Sequence, residues 1–297
     1  MKKNLFLLLL ILFCSCTEKH DTQSQTQFPD IGYNQFLSNI KLPEKLDFCG
    51  ERIPLEIEEV RERAEREFYL LLQQPGQVIL YLKRSGRYFP IFEQIIKESG
   101  MPDDLKYLSV AESALYMSRS PKDALGLWQF IPETARRCGL QVDEFVDERC
   151  HPEKSTRAAM IYLQQGYRQH GSWLMAAAGY NMGHGNLADN VDFQYSKDYF
   201  DLFLNEETSR YILRIAIIKE LMVHPEKYGF NLSAEDLYKP AKGKIVKVTS
   251  EIDNLSAWAK SQGTTYKSVK LLNPWILKRK LPKPSKGKFY EIMIPVS

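Results

Sequence analysis

The chain has 297 residues, 44% hydrophobic and 26% charged, with 16 Gly and 15 Pro. This composition excludes a disordered or collagen-like chain and leaves room for one sizeable core plus a small second module. The net charge of +3 conceals two opposite parts: residues 239–297 hold 13 Lys/Arg against 3 Asp/Glu, and residues 17–238 hold 25 against 34. Two modules with different surfaces follow, the basic one either drawn to a polyanion or simply kept soluble by its lysines.

The chain opens with Met1-Lys2-Lys3, an apolar run from Leu5 to Phe13, and then Cys14-Ser15-Cys16. A short cationic start followed by such a run reads as a secretory signal, too short to span a bilayer. A small residue before a cysteine resembles the bacterial lipoprotein processing site, which makes Cys16 the expected lipidated residue. Residues 1–16 are thus read as signal peptide. An exported chain argues against nucleic acid as the partner of the basic tail. Residues 17–27 are polar and rich in Gln, Ser and Thr, as a flexible tether would be, and the whole of 17–54 is read as tether and N-terminal extension.

Helical patterns dominate from Leu55 onward. Residues 56–73 form a charge-rich helix with an apolar end, Pro75-Gly76 opens a second through Lys83, and residues 89–99 form a third, stopped by Gly100. After Pro102-Asp103-Asp104, good first-turn residues, Leu105, Leu108, Glu112 and Leu115 share one helix face. A carboxylate is therefore written into an apolar stripe. It either pairs with a cation at the edge of the stripe or is buried unpaired. In the second case desolvation raises its pKa and keeps it protonated near neutral pH, as a proton donor to a glycosidic oxygen must be.

Gly126-Leu127-Trp128-Gln129-Phe130 places an amide inside an apolar run, where it needs partners. Residues 152–170 and 173–180 read as helices, Asn181-Met182-Gly183-His184-Gly185 as a turn with His184 exposed, and residues 206–223 as a long amphipathic helix. The tail then alternates as a strand over 244–249, turns helical over 254–261 and 265–272, and alternates again over 289–294. That order describes a small separate module, 244–296, after a main domain at 55–238. Three cysteines remain in the body. Cys138 and Cys150 flank one loop and are the preferred disulfide pair, with two free thiols as the alternative. No Cys/His spacing suits a metal, and neither metal nor cofactor is expected.

Glu112-Ser113, Gly126-Leu127-Trp128-Gln129-Phe130, Gly179-Tyr180-Asn181-Met182-Gly183 and Glu207-Thr208-Ser209-Arg210-Tyr211 occur in the order and spacing seen in lytic transglycosylases with a lysozyme-like fold. The resemblance runs from about Met101 to Tyr228 and is nearest to the membrane-bound type D. It departs from the family pattern at Gly179, where Ala is usual, and at Met182, where a small residue is usual. The tail is similar to a degenerate LysM module, with Leu272-Asn273-Pro274 as its best match and a long insertion at 278–288.

What the resemblance implies is a mainly α protein: a lysozyme-like helical catalytic domain with a small C-terminal βααβ, LysM-like module. It implies Glu112 as acid and then base in cleaving peptidoglycan without water. Ser113 and Gln129 are expected near the acid or the sugar. Tyr180 and Asn181 are expected to line the cleft, with Tyr180 bound to Glu112 or to the sugar's acetamido group. Arg210 and Tyr211 are read as mainly structural, and Trp128 as core. The expected partners are glycan strands and, through the lipid, the periplasmic face of a bacterial outer membrane; a monomer is expected. A hydrolytic muramidase using Asp123 or Asp147, and a non-catalytic wall-binding lipoprotein, are the alternatives.

Overall fold

The computed structural model describes residues 30–296. The signal, Cys16 and residues 17–29 of the tether lie outside that range. The chain divides into two units, residues 1–39 and 40–297. The first contributes one helix, α1 (Asp30–Asn39). The second holds all the other elements. Among the described residues no helix is long and apolar enough to cross a membrane.

A two-stranded turn, β1 (Asp47–Phe48) with β2 (Glu51–Arg52), precedes α2 (Glu58–Leu72). In α2 the buried residues Val60, Ala64, Phe68 and Leu72 recur every fourth position and make its inner face, while Glu58 and Glu59 sit in the first turn, where the helix dipole favours them. Pro75 occupies the first turn of α3 (Pro75–Glu98). The sequence pattern divides this stretch into two helices, one ending at Lys83 and the next starting at Phe89, but the helix is continuous. Gly86 serves a close approach instead: a β-carbon there would lie 2.7 Å from Leu237 Cβ and 3.0 Å from the Tyr238 carbonyl.

A single 3-10 turn, Asp103–Leu105, leads into α4 (Lys106–Ser113). This helix stops two residues short of the expected face because Ala114 and Leu115 both adopt left-handed backbone, each at φ 54°. For two non-glycine residues in succession that conformation is strained, and it is placed directly after Glu112-Ser113. Then come α5 (Pro132–Arg137), α6 (Pro152–His170), α7 (Trp173–Met182), α8 (His184–Gln194) and α9 (Glu206–Val223). Capping is local: Ser172 Oγ accepts from the Met175 amide and Asn205 Oδ1 from the Thr208 amide. The main core gathers Phe92 and Ile96 of α3, Leu108 of α4, Leu163 of α6, and Ile212, Ile215 and Ile218 of α9. Trp128 is completely buried within it and donates from Nε1 to Thr156 Oγ1 at 2.9 Å, as expected of a core indole.

The tail forms β3 (Lys244–Val248), α10 (Leu255–Ser261), α11 (Tyr266–Leu272) and β4 (Tyr290–Ile294). The strands pair antiparallel from Lys244 opposite Ile294 to Val248 opposite Tyr290. The module packs against the main domain. Its apolar cluster of Leu255, Val269, Ile276 and Ile292 also takes in Leu125, Val146 and Cys150. Backbone bonds close the junction, from Asp147 N–H to the Trp275 carbonyl and from Leu277 N–H to the Phe145 carbonyl. A module of about fifty residues is marginal on its own, and the shared cluster adds to its buried apolar surface.

The disulfide expected between Cys138 and Cys150 is absent. Both are buried free thiols, as Cys49 is a free thiol, and they belong to different clusters: Cys138 lies in the main core and Cys150 in the junction.

Candidate active site

Glu112 stands at the end of α4, where the helix runs against α9. Its Oε1 accepts a hydrogen bond from the Tyr211 hydroxyl, in the second turn of α9. Among the described residues no ion pair reaches its carboxyl. Burial pushes its pKa up to about 7, with the Tyr211 hydrogen bond opposing, the charge of Glu207 assisting, and the charge of Arg214 opposing. With Oε1 occupied by a donor, the proton belongs on Oε2. That is the arrangement a general acid needs, since it fixes which oxygen gives the proton away.

Tyr180 is close enough for its ionisation to be opposed by Glu112, but its hydroxyl donates elsewhere, to the Trp128 carbonyl at 2.6 Å. Its ring is packed between Phe130 and Tyr162. Of the two roles expected of Tyr180, holding the acid falls to Tyr211, which the sequence presents only as a brace. The signal is present in the spacing: Glu207 and Tyr211 lie one helical turn apart and so face the same way.

The segment 126–130 is held from three sides. The hydroxyls of Ser109 and Ser113 both donate to the Leu127 carbonyl at 2.8 Å, so Ser113 fixes the loop rather than touching the acid. Gln129 is at φ 49° and its amide donates to the carbonyls of Ser118 and Gly126 at 2.9 and 2.8 Å. Its amide nitrogen is thus committed to the backbone. Gly126, at φ 87°, lies so close to the Arg149 carbonyl that no β-carbon fits. Arg149, nearly fully buried, donates to the Phe130 carbonyl and binds both oxygens of Asp147, at 2.9 and 2.7 Å. Asp147 is therefore a structural counterion, and Asp123 is paired with Arg119. Neither is poised as a second acid.

Asn181 accepts from the Thr208 hydroxyl at 2.7 Å and donates to Glu207 at 3.3 Å. These contacts join α7 to the first turns of α9. They also hold Glu207, the carboxylate whose charge raises the Glu112 pKa. Behind Tyr211, buried Glu67 of α2 accepts from Arg210 Nε at 2.6 Å and from Arg214 Nε at 3.0 Å. Sequence reasoning does not single out Glu67, Thr208, Glu207 or Arg214 for these parts. Among the described residues no group of three or more His, Cys, Asp or Glu is arranged to hold a metal.

His184 is not an exposed turn residue. It opens α8 after Gly183, its ring stacks obliquely on Tyr162 with centroids 4.4 Å apart, and Nε2 lies 3.2 Å from the Tyr162 carbonyl. The ring fills the space beside Gly166 and Gly179, where a β-carbon on either glycine would collide with it.

Residues 89–203 match the family model for the Transglycosylase SLT domain. The match stops short of α9, so the SLT domain proper brings Glu112, Gln129, Tyr180 and Asn181, while Tyr211 and Glu207 come from the segment that follows. Residues 244–297 match the soluble lytic transglycosylase C-terminal LysM-like domain. The expected fold class, a lysozyme-like helical domain with a small LysM-like module, is thereby borne out. The chain is 28% identical over 196 residues to the membrane-bound lytic murein transglycosylase D of Escherichia coli K12, covering 64% of this chain and 43% of that protein, with the same figures for E. coli O6:H1. It is 31% identical over 109 residues to a putative tributyltin chloride resistance protein of Alteromonas, covering 35% and 53%. The chain thus spans less than half the length of the E. coli relatives and about half that of the Alteromonas protein.

Proposed function

We propose that this chain is a lytic transglycosylase of peptidoglycan, with Glu112 as its acid and then its base. The observation that carries the reading is a carboxyl held by one neutral donor, without a cation partner, at a pKa of about 7. Neutral Glu112 gives its proton to the oxygen joining N-acetylmuramic acid to N-acetylglucosamine. As the anomeric C–O bond breaks, the glucosamine leaves with a free hydroxyl and its muramic neighbour gains oxocarbenium character. The acetamido oxygen of that sugar stabilises the charge. Its 6-hydroxyl oxygen then bonds to the anomeric carbon and passes its proton to the Glu112 carboxylate, which regenerates the acid and leaves a 1,6-anhydro end. An internal nucleophile makes a second carboxylate unnecessary.

Glu207 favours a second reading, hydrolysis by water. It is an exposed carboxylate that acts electrostatically on Glu112, whereas Asp123 and Asp147 are engaged elsewhere. Digestion of purified peptidoglycan followed by mass spectrometry separates the two: anhydro-muropeptides support the transglycosylase, and reducing ends alone would replace it with a muramidase. Glu112→Gln is expected to abolish either product.

The catalytic domain is assigned to 55–238 and the wall-binding module to 244–296. The lipid anchor at Cys16 and a periplasmic, outer-membrane location follow from the N-terminal pattern and accord with the words membrane-bound in the name of the E. coli relatives. Globomycin treatment, which blocks lipoprotein signal processing, should leave a larger precursor if Cys16 is modified.

A further inference from the structure

A cleft of about 910 Å³ lies between the two modules, away from Glu112. One wall comes from the end of α5 and from α6, with Leu140, Ala158 and Ile161; the other is the stretch 282–291, which runs from the long insertion into β4. That insertion is what sets this tail apart from an ordinary LysM pattern, and making this wall is the use the fold puts it to.

The charges in the cleft are unequal. Arg136, Lys154, Arg157, Lys283 and Lys288 line it, against Glu148 and Glu291. Lys154 is paired with Glu148 at 2.5 Å and Arg157 with Glu98 at 2.8 Å. Lys283, Lys288 and Glu291 have no ion pair among the described residues, and both lysines are exposed. Ile161 and Phe289, 48% and 42% exposed, add apolar surface at the rim. The cleft is concave and of ligand-pocket size, unlike the broad face that a nucleic-acid duplex or a membrane requires. Three cations without an ion pair among the described residues (Lys283, Lys288 and Arg136, the last donating to the Val142 carbonyl), one such anion and apolar walls suit a short peptide with more carboxylates than amines. An uncharged sugar chain would leave the lysines unused.

We propose that the junction cleft is a binding site for the carboxylate-bearing peptide side chains of peptidoglycan, held by Lys283 and Lys288 with Glu291 facing the peptide's amine. This rests on the reading of peptidoglycan as substrate. The basic tail then grips the peptide beside the strand that Glu112 cuts.

The test uses full-length Glu112→Gln protein and a synthetic peptide, L-Ala-γ-D-Glu-L-Lys-D-Ala-D-Ala, whose N-terminus is capped by an amide-linked fluorophore; it carries two carboxylates and one amine and contains no glycosidic bond. Binding is followed by anisotropy at low and high salt. Affinity should fall with salt, drop at least tenfold in Lys283→Glu/Lys288→Glu, and drop similarly when the peptide carboxylates are amidated. Both lysines are exposed, so thermal melting of the double variant should match the parent. Double-variant affinity within twofold of the parent, equal binding of the amidated peptide, or tighter binding of a DNA duplex would each overturn the proposal. Failure of the enzymatic reading would show separately, as no cleavage of peptidoglycan by the unmutated protein while the peptide still binds.

Discussion

The His184 ring occupies the space that a β-carbon on Gly179 would need. Gly179 lies in the Tyr180-Asn181 motif, where alanine is usual in the lytic transglycosylases that the sequence resembles, so glycine and histidine here form a compensated pair. Gly166 on α6 faces the same ring, and the imidazole thus sits over glycines of two helices. The departure at Gly179 is a packing exchange. It gives no support to decay of the site.

Gly179→Ala should therefore destabilise the protein by about 1–3 kcal/mol through overpacking in a well-filled interior. His184→Ala should also destabilise it, by opening a cavity against Tyr162. The double variant Gly179→Ala/His184→Ala should be more stable than the sum of the two losses predicts. Chemical denaturation of the four proteins measures this coupling, and strictly additive losses would show that the ring and the glycine do not share the space.

Stability should depend on pH through three groups with opposite signs. Burial lowers the His151 and His184 pKa values to about 4, below the 6.5 of the unfolded chain. The unfolded state then binds more protons between pH 6.5 and 4, so stability falls as pH drops through that window. Glu112 acts the other way. Its folded value of about 7 exceeds the unfolded 4.5, so the stability it lends is full below pH 4.5 and is lost as pH rises to 7. Glu112→Gln removes that loss and should raise stability above pH 7 by up to about 3 kcal/mol, with little change at pH 4. Melting curves at pH 4 and pH 8 are the check; an equal gain at both would mean the carboxyl is not desolvated.

The Glu112 reading also predicts the activity profile. The free enzyme needs the protonated acid, so kcat/KM should fall as pH rises through about 7. Tyr211→Phe removes the hydrogen bond that favours the carboxylate, which should move this descending limb to higher pH. It should also lower kcat by roughly tenfold or more, because the oxygen carrying the proton is no longer fixed. A slower enzyme with an unmoved limb would make Tyr211 a packing residue.

How far the sequence reveals this site depends on the kind of contact. Glu112 is readable because a carboxylate inside an apolar helical stripe violates the local pattern. The tail is readable because both its strands and both its helices keep their own periods. Tyr211 escapes notice: a tyrosine on an amphipathic helix satisfies the pattern whether it packs or donates, and its partner is 99 residues away. Ser113 and Gln129 look like sugar contacts, but the Ser113 hydroxyl and the Gln129 amide nitrogen bind backbone carbonyls. Likewise no local pattern shows that α3 runs through Gly86, since the reason is the chain crossing at Leu237 and Tyr238.

Glu67 gives the sharpest test of long-range control over the acid. It is 2% exposed, and it holds Arg210 and Arg214 on either side of Tyr211. Arg214 favours the ionised form of Glu112, and it is ion-paired with Glu67 at 3.0 Å. In Glu67→Gln the cation is no longer balanced. The Glu112 pKa should fall, and the descending limb of kcat/KM should move to lower pH, opposite to Tyr211→Phe. A stability loss of about 2 kcal/mol should accompany it, since three arginine contacts are weakened while their heads still reach water. Stability alone cannot decide the matter, because a purely structural Glu67 would also lower it. The direction of the pH shift does: a limb that stays in place would mean that Glu67 braces α2 against α9 without reaching the chemistry.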